Sequence, residues 1–435
     1  INPDHALAHE YLGLVAQASM ADTTDAVYHL ERAVLLDPQR WGAWGELEKI
    51  WLRQGLARRL ERCAKHALLR ANGTPHEARW WVVLTRIYAM HLDDAERAGF
   101  ALSHVQQFAS VAAELPGLRE LVAKLGQPAP TSRPVRGRAA ASVADRAFIN
   151  AGCLVARGDA DERTAAVYAA HVATRSPRMV QPLSSFHWEL CKDPDDDSDL
   201  GELIEKLAPA LMAASPMTLA ELEVEPGTEL SLSELPSGFA NVFSYAHASL
   251  SAPPVPVYPR PDLGSQVHIA VAATPLLLAG DDALTSPDRP ELMFHVARAL
   301  SFARAGRAIA TSRPARQLRA MVLAAYAEAV GTDPFFVDPS CVPMQAHLHR
   351  MSASERKDVG ELAVRVLVSQ PNLNLSRWAR AVVRTANRVA LLYAGDVVAA
   401  ARATRDLGGN VEELLTFAAS DTHLQMRAEL GLATG

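Results

Sequence analysis

Ala33-Val34-Leu35-Leu36-Asp37-Pro38 decides how the first quarter of this chain is read, because Asn2-Pro3 carries the same Pro-closed ending 35 positions earlier, from Pro3 to Pro38. Between the two endings lie Leu12-Gly13 and Ala16, then Ala26, Leu30 and Ala33 at helical spacing. A second unit places Trp44, Leu47 and Trp51 on one helix, Gly55 in a turn, and Leu60, Ala64 and Ala67 on the next helix, closing on Asn72 instead of proline. A third, more divergent unit has Trp81, Leu84 and Tyr88, a turn near Asp93, and Ala101. Small residues such as Ala26, Ala33, Ala64 and Ala67 let helix backbones approach, while Leu and Trp fill the holes between them. An unrelated amphipathic bundle is the alternative, but a bundle does not require a recurring period of roughly 34 residues.

This pattern resembles the tetratricopeptide repeat, with Leu12-Gly13 at the family's Leu-Gly position and Ala16 where tyrosine is usual. The resemblance implies about three repeats over residues 1–115. It also implies a concave groove lined by the first helix of each pair, which directs Glu10, Leu14, Gln17, Lys49, Arg53, Arg79 and Arg86 towards a protein or peptide partner. Four of these are basic, which suits an acidic peptide or a C-terminal carboxylate; the plain alternative is ordinary solvated side chains. Because the chain opens inside the tail of a unit, a fragment of a longer array is expected.

The chain has 435 residues, enough for two or three domains with sizeable cores. Its apolar fraction is 49% with only 6% aromatic residues, an Ala-, Leu- and Val-rich balance that favours packed helices. A net charge of −6 supplies no field to hold a polyanion, which argues against nucleic acid. Cys63, Cys153, Cys191 and Cys341 lie far apart with no CxxC pair, so neither a zinc knuckle nor a disulfide framework is indicated. A reducing, cytoplasmic compartment fits. No apolar run approaches the roughly 18 residues of a membrane span, so no membrane insertion is expected.

Residues 116–143, Pro-rich and without apolar periodicity in Gly126-Gln-Pro-Ala-Pro-Thr-Ser-Arg-Pro-Val-Arg-Gly-Arg138, read as a linker. A helical middle region, 144–250, follows, with Asp159-Ala160-Asp161-Glu162 opening its second helix. From 251 to 435 an α-rich domain is expected. Val255-Pro-Val-Tyr258 and Val267-His-Ile-Ala-Val271 read as a small β-hairpin, and helices follow at roughly 290–306, 314–331, 354–368, 375–394, 396–406 and 410–419. The expected fold is thus mainly α, a repeat array followed by an α-rich domain with a small hairpin.

The succession of helix, hairpin, a helix from Pro290-Glu291-Leu292 and a late helix near Asp396 resembles minigluzincin-type zinc peptidases over roughly residues 200–430. It is also similar to large bacterial repeat proteins that end in such a domain without its metal site. Carried over position by position, the two histidines of HExxH fall on Arg298 and Phe302 and its glutamate on Ala299. Thr385-Ala386-Asn387-Arg388 matches the Ala-Asp-Arg run with Asn for Asp, and the third ligand falls on Val383. Tetrahedral zinc needs imidazole or anionic ligands, and none of these supplies one. The resemblance therefore implies a catalytically dead domain.

The remaining constellations are incomplete. His295 lacks an i+4 histidine, having Ala299 there, and reads as a core or cap residue. His347-Leu-His349 reads as a Pro-bounded loop two ligands short of a zinc site. His187 and Cys191 are helical neighbours without an identifiable oxyanion element, so an inert cysteine is expected. Asp193 to Asp199 imitates a calcium loop, but Leu200 replaces the required glycine and Lys206 the closing glutamate, so a solvated acidic loop is expected. No nucleotide or serine-hydrolase motif is present, and no cofactor, metal or catalytic residue is assigned. The expected function is a non-enzymatic scaffold or adaptor. A hydrolase with an unconventional site in the C-terminal domain and a structural subunit of a larger assembly are the alternatives.

Overall fold

The computed structural model describes residues 5–18, 23–125, 142–174, 178–214, 217–272, 274–304, 306–370 and 373–433. The chain is mainly helical with one three-stranded sheet, and it divides into two compact units, Ile1–Gly137 and Arg138–Gly435. No helix of the described residues is long and apolar enough to cross a membrane.

In the first unit α1 (Ala6–Ala18) pairs with α2 (Thr23–Leu36), α3 (Trp41–Arg53) with α4 (Ala57–Ala71), and α5 (Glu77–His91) with α6 (Ala95–Val105). Each helix packs on the next, and α1 also meets α3 as α2 meets α4. The periodic positions are the core: Leu30, Ala33, Leu47, Trp51, Leu60, Ala64, Ala67, Trp81, Leu84, Tyr88 and Ala101 are all buried. Gly13 shows why a side chain is excluded at one crossing. A Cβ there would lie 2.6 Å from Leu30 Cγ and 3.0 Å from its backbone nitrogen. Gly55 turns α3 into α4 with a φ of +70°, a left-handed conformation that glycine adopts without steric cost.

Helix α7 (Leu115–Ala123) covers residues 116–123, the start of the stretch 116–143 expected as a linker. Pro116 suits the first turn of a helix, and Leu118 and Val122, one turn apart, bury against the preceding helices. The Pro-rich stretch 126–141 lies outside the described residues, as does Asn2-Pro3.

The second unit opens with α8 (Val143–Arg157) and α9 (Glu162–Ala173), the latter capped as expected by Asp161, which accepts from Thr164 N at 2.7 Å. Next come α10 (Ser185–Cys191), α11 (Ser198–Ala214) and α12 (Ser237–Leu250), then β1 (Val257–Pro259), β2 (Val267–Val271) and β3 (Pro275–Ala279). After the sheet run α13 (Asp281–Thr285), α14 (Arg289–Phe302), α15 (Arg307–Ser312), α16 (Ala315–Val330), α17 (Pro334–Val337), α18 (Val342–Leu348) and α19 (Ala353–Ser369). Four more helices close the chain: α20 (Leu375–Ala394), α21 (Val397–Asp406), α22 (Val411–Ala418) and α23 (Asp421–Glu429).

The sheet differs from the expected hairpin. Its order is β1-β3-β2, with β1 parallel and β2 antiparallel to β3, so the two runs taken as hairpin partners do not pair with each other. The central strand, Leu276-Leu277-Leu278-Ala279, is a buried apolar run without alternation, and its opening Pro275 sits where a missing N–H costs least. Helix α14 is buried almost all round and packs on α12, α20, α21 and β2. Residues 144–250 and 251–435 share this one body. Tyr168 of α9 donates to Asp396 at 2.8 Å and accepts from Val397 N at the start of α21. Asp145 of α8 meets Arg427 of α23 through two bonds of 3.0 and 2.9 Å, both side chains fully buried.

Candidate functional site

The seven groove residues all sit on α1, α3 and α5, but several are occupied within the array. Glu10 accepts from the backbone of Ala43 at 3.2 Å and from Arg40 at 3.4 Å, so its carboxylate caps the start of α3. A Cβ on Gly42 would lie 2.7 Å from that carboxylate. Gln17 donates to Glu46 at 2.7 Å, Glu46 pairs with Lys49 at 2.7 Å, and the Lys49 and Gln17 bonds hold the Glu46 carboxyl below its ordinary range. Arg53 donates to its own helix at Lys49 O, Arg79 stacks 4.1 Å over the Trp41 ring, and Arg86 pairs with Glu114 at 2.8 Å. Leu14 is half-buried. The side chains of Lys49 and Arg86 remain 61% and 54% exposed, so their surface ion pairs are weak and open to exchange. On α1, Leu7, Tyr11 and Val15 lie on successive turns and are exposed, as is Tyr28 of α2, a feature the periodicity did not single out.

In the second unit α14 and α20 pack directly on each other, and this brings together two of the positions compared with a zinc site. Arg298 donates through Nε to Asn387 Oδ1 at 2.8 Å. Ala299 and Phe302 are buried apolar residues, and Val383 is half-buried on α20. His295 is buried, with Nε2 no closer than 4.0 Å to Glu291; burial, then the charges of Arg298 and His268, push its pKa down to about 4. Among the described residues, no group of three or more His, Cys, Asp or Glu is placed to hold a metal ion.

The acidic stretch is not a solvated loop. Asp193, Asp196 and Asp199 are buried. Asp193 takes both forks of Arg384 at 2.7 and 2.8 Å and a bond from Arg388 at 3.1 Å. Asp195 takes Arg377 at 2.8 Å, and Asp196 takes Arg307 at 2.8 Å and the Thr385 hydroxyl at 2.7 Å. Burial acts to raise the Asp193 carboxyl, but the Arg384 bond, the Asp195 N–H and the Arg388 charge hold it low. The carboxylates that imitated a calcium loop are consumed by arginines from α15 and α20, which the local sequence does not reveal.

The Cys191 thiol is fully buried against Met426, and burial raises its pKa to about 12. His187 lies between Ser184 Oγ, 2.8 Å from Nδ1, and Glu429 Oε2, 3.1 Å from Nε2. The hydroxyl also caps α10 by accepting from His187 N at 3.2 Å, and the ring is 2% exposed. The sequence signal for this relay was hidden because Glu429 lies 242 residues downstream of His187. His347, expected in a loop, is in the last turn of α18, which Pro343 begins; a proline in a first turn starts a helix as readily as it ends one.

The chain matches no family model, no curated protein and no solved structure. Both family resemblances therefore stand on the residues that carry them.

Proposed function

We propose that the chain is a cytoplasmic, non-enzymatic scaffold or adaptor in which a tetratricopeptide array holds a protein partner and a catalytically dead peptidase-like domain accompanies it. The observation that carries this reading is the succession of three helix pairs whose periodic positions are buried apart from the half-buried Leu12 and Ala16, leaving Lys49 and Arg86 exposed on α3 and α5. Two exposed cations on consecutive first helices favour an acidic segment, held by charge-assisted hydrogen bonds. The net charge of −6 disfavours nucleic acid as that partner. The exposed strip of Leu7, Tyr11, Val15 and Tyr28 adds apolar contact area of the kind partners bury.

Titration of the full chain with a fluorescent Asp- and Glu-rich peptide, amidated at its C-terminus, tests this. Saturable binding that weakens with salt and is lost in Lys49→Glu and Arg86→Glu is expected; no saturable binding, or binding indifferent to both substitutions, sinks the proposal. The Ser184–His187–Glu429 relay favours a second reading, an unconventional hydrolase, because a carboxylate, an imidazole and a hydroxyl are linked in the order a nucleophilic serine needs. Labelling of Ser184 by a fluorophosphonate, abolished in Glu429→Gln, would replace the scaffold reading with that one.

A further inference from the structure

Several buried or half-buried arginines of the second unit meet carboxylates: Arg427 meets Asp145, Arg384 meets Asp193, Arg307 meets Asp196, and Arg388 meets Asp193 and Glu413. Arg298 departs from this. Its partner is the neutral amide of Asn387, met through Nε, and its guanidinium lies 5.2 Å from the Phe302 ring. No carboxylate of the described residues pairs with it. Glu291, two turns earlier on α14, is taken by Arg402 of α21.

The neighbouring imidazoles supply no compensating negative charge. His268 on β2 bonds Gln266 at 2.7 Å, and burial followed by the Arg298 charge lowers its pKa. His295, on the same helix as Arg298, is held lower still. Burial also pushes Arg298 down, to about 10, yet at neutral pH it stays charged. The side chain nonetheless keeps part of its surface accessible, as does His268. A crowded cation with solvent access and no counter-charge is costly unless an anion joins it. Nε is committed to Asn387, and a guanidinium held in that way keeps two Nη groups with which to meet both oxygens of a planar carboxylate.

We propose that Arg298, backed by Asn387 and flanked by His268, forms an oxyanion site that takes a carboxylate group at the junction of β2, α14 and α20. The site is separate from the groove of the first unit and does not depend on it. The carboxylate comes either from a small organic acid or from a peptide C-terminus, and the two are told apart by affinity.

The experiment is calorimetric titration of the full chain with acetate, with inorganic phosphate, and with an acetylated tetrapeptide bearing a free or an amidated C-terminus. Carboxylate binding that falls by roughly 10- to 100-fold in Arg298→Gln is expected, the range of one charged hydrogen-bonded contact. A free-acid peptide that binds more tightly than acetate, with the amide inert, assigns a peptide terminus; equal affinities assign a small acid. Free of any packing change in Arg298→Gln, the wild-type chain gives an independent reading in the His268 ring signals. A bound carboxylate offsets the Arg298 charge and raises the His268 pKa, whereas chloride at equal ionic strength does not. Identical His268 titrations in the two salts, phosphate binding more tightly than any carboxylate, or carboxylate binding unchanged in Arg298→Gln would overturn the proposal.

Discussion

At the scale of single residues the chain is governed by where charge is buried. Asp145 and Arg427 are both sealed from solvent, and removing one partner leaves the other as an uncompensated charge. Arg427→Met is therefore expected to cost about 3–5 kcal/mol, and the double variant with Asp145→Leu less than that single, as read from urea unfolding midpoints. Equal losses in both would show that the charge is not what matters. The buried histidines set the acid limit. His295 is held neutral down to about pH 4 and His423 to about pH 3, burial being the first cause in each. Their folded values lie below the unfolded one, so the unfolded state binds protons first: stability is whole above about pH 6.5 and is lost as pH falls, by up to ~1.4 kcal/mol per pH unit per group. His295→Leu should flatten that loss in a pH series of unfolding midpoints, and a series parallel to wild type would refute it.

At the scale of elements, spacing decides what packs. The crossing of α1 and α2 rests on Gly13, and Gly13→Ala should destabilise the first unit by about 1–3 kcal/mol through overpacking against Leu30. Adding Leu30→Ala should restore part of the loss left by Gly13→Ala, measured against Leu30→Ala alone in thermal melts; strict additivity would mean the two do not touch in the way described. The six helices expected after the sheet are found near their expected limits, because their apolar period and caps are local signals. The strand pairing was not legible. Leu276-Leu277-Leu278 has no alternation, and which strand stands in the middle depends on what covers both of its faces.

For the whole molecule, two compact units with separate cores predict two unfolding transitions in calorimetry. Gly13→Ala should lower one and Arg427→Met the other, each leaving its counterpart in place. A single transition displaced by both substitutions would show one cooperative body. The candidate sites divide in the same way. That Lys49 and Arg86 lie on the first helices of their pairs follows from helix periodicity alone, whereas the capping of a helix 33 residues away by Glu10 does not.

The sequence by itself determined the helical character and the pattern of buried Ala, Leu and Trp in the first unit. Each of these is carried by residue type or by spacing within a turn or two. Tertiary structure alone decided that Asp193 and Asp196 are neutralised by arginines of α15 and α20, that Cys191 packs against Met426, and that Arg298 meets an amide in place of a carboxylate. The physical reason is distance along the chain. Partners separated by about 90 to 240 residues leave no periodic mark on one another, and whether a charge is solvated, paired or left waiting for a ligand is fixed only when packing removes the water.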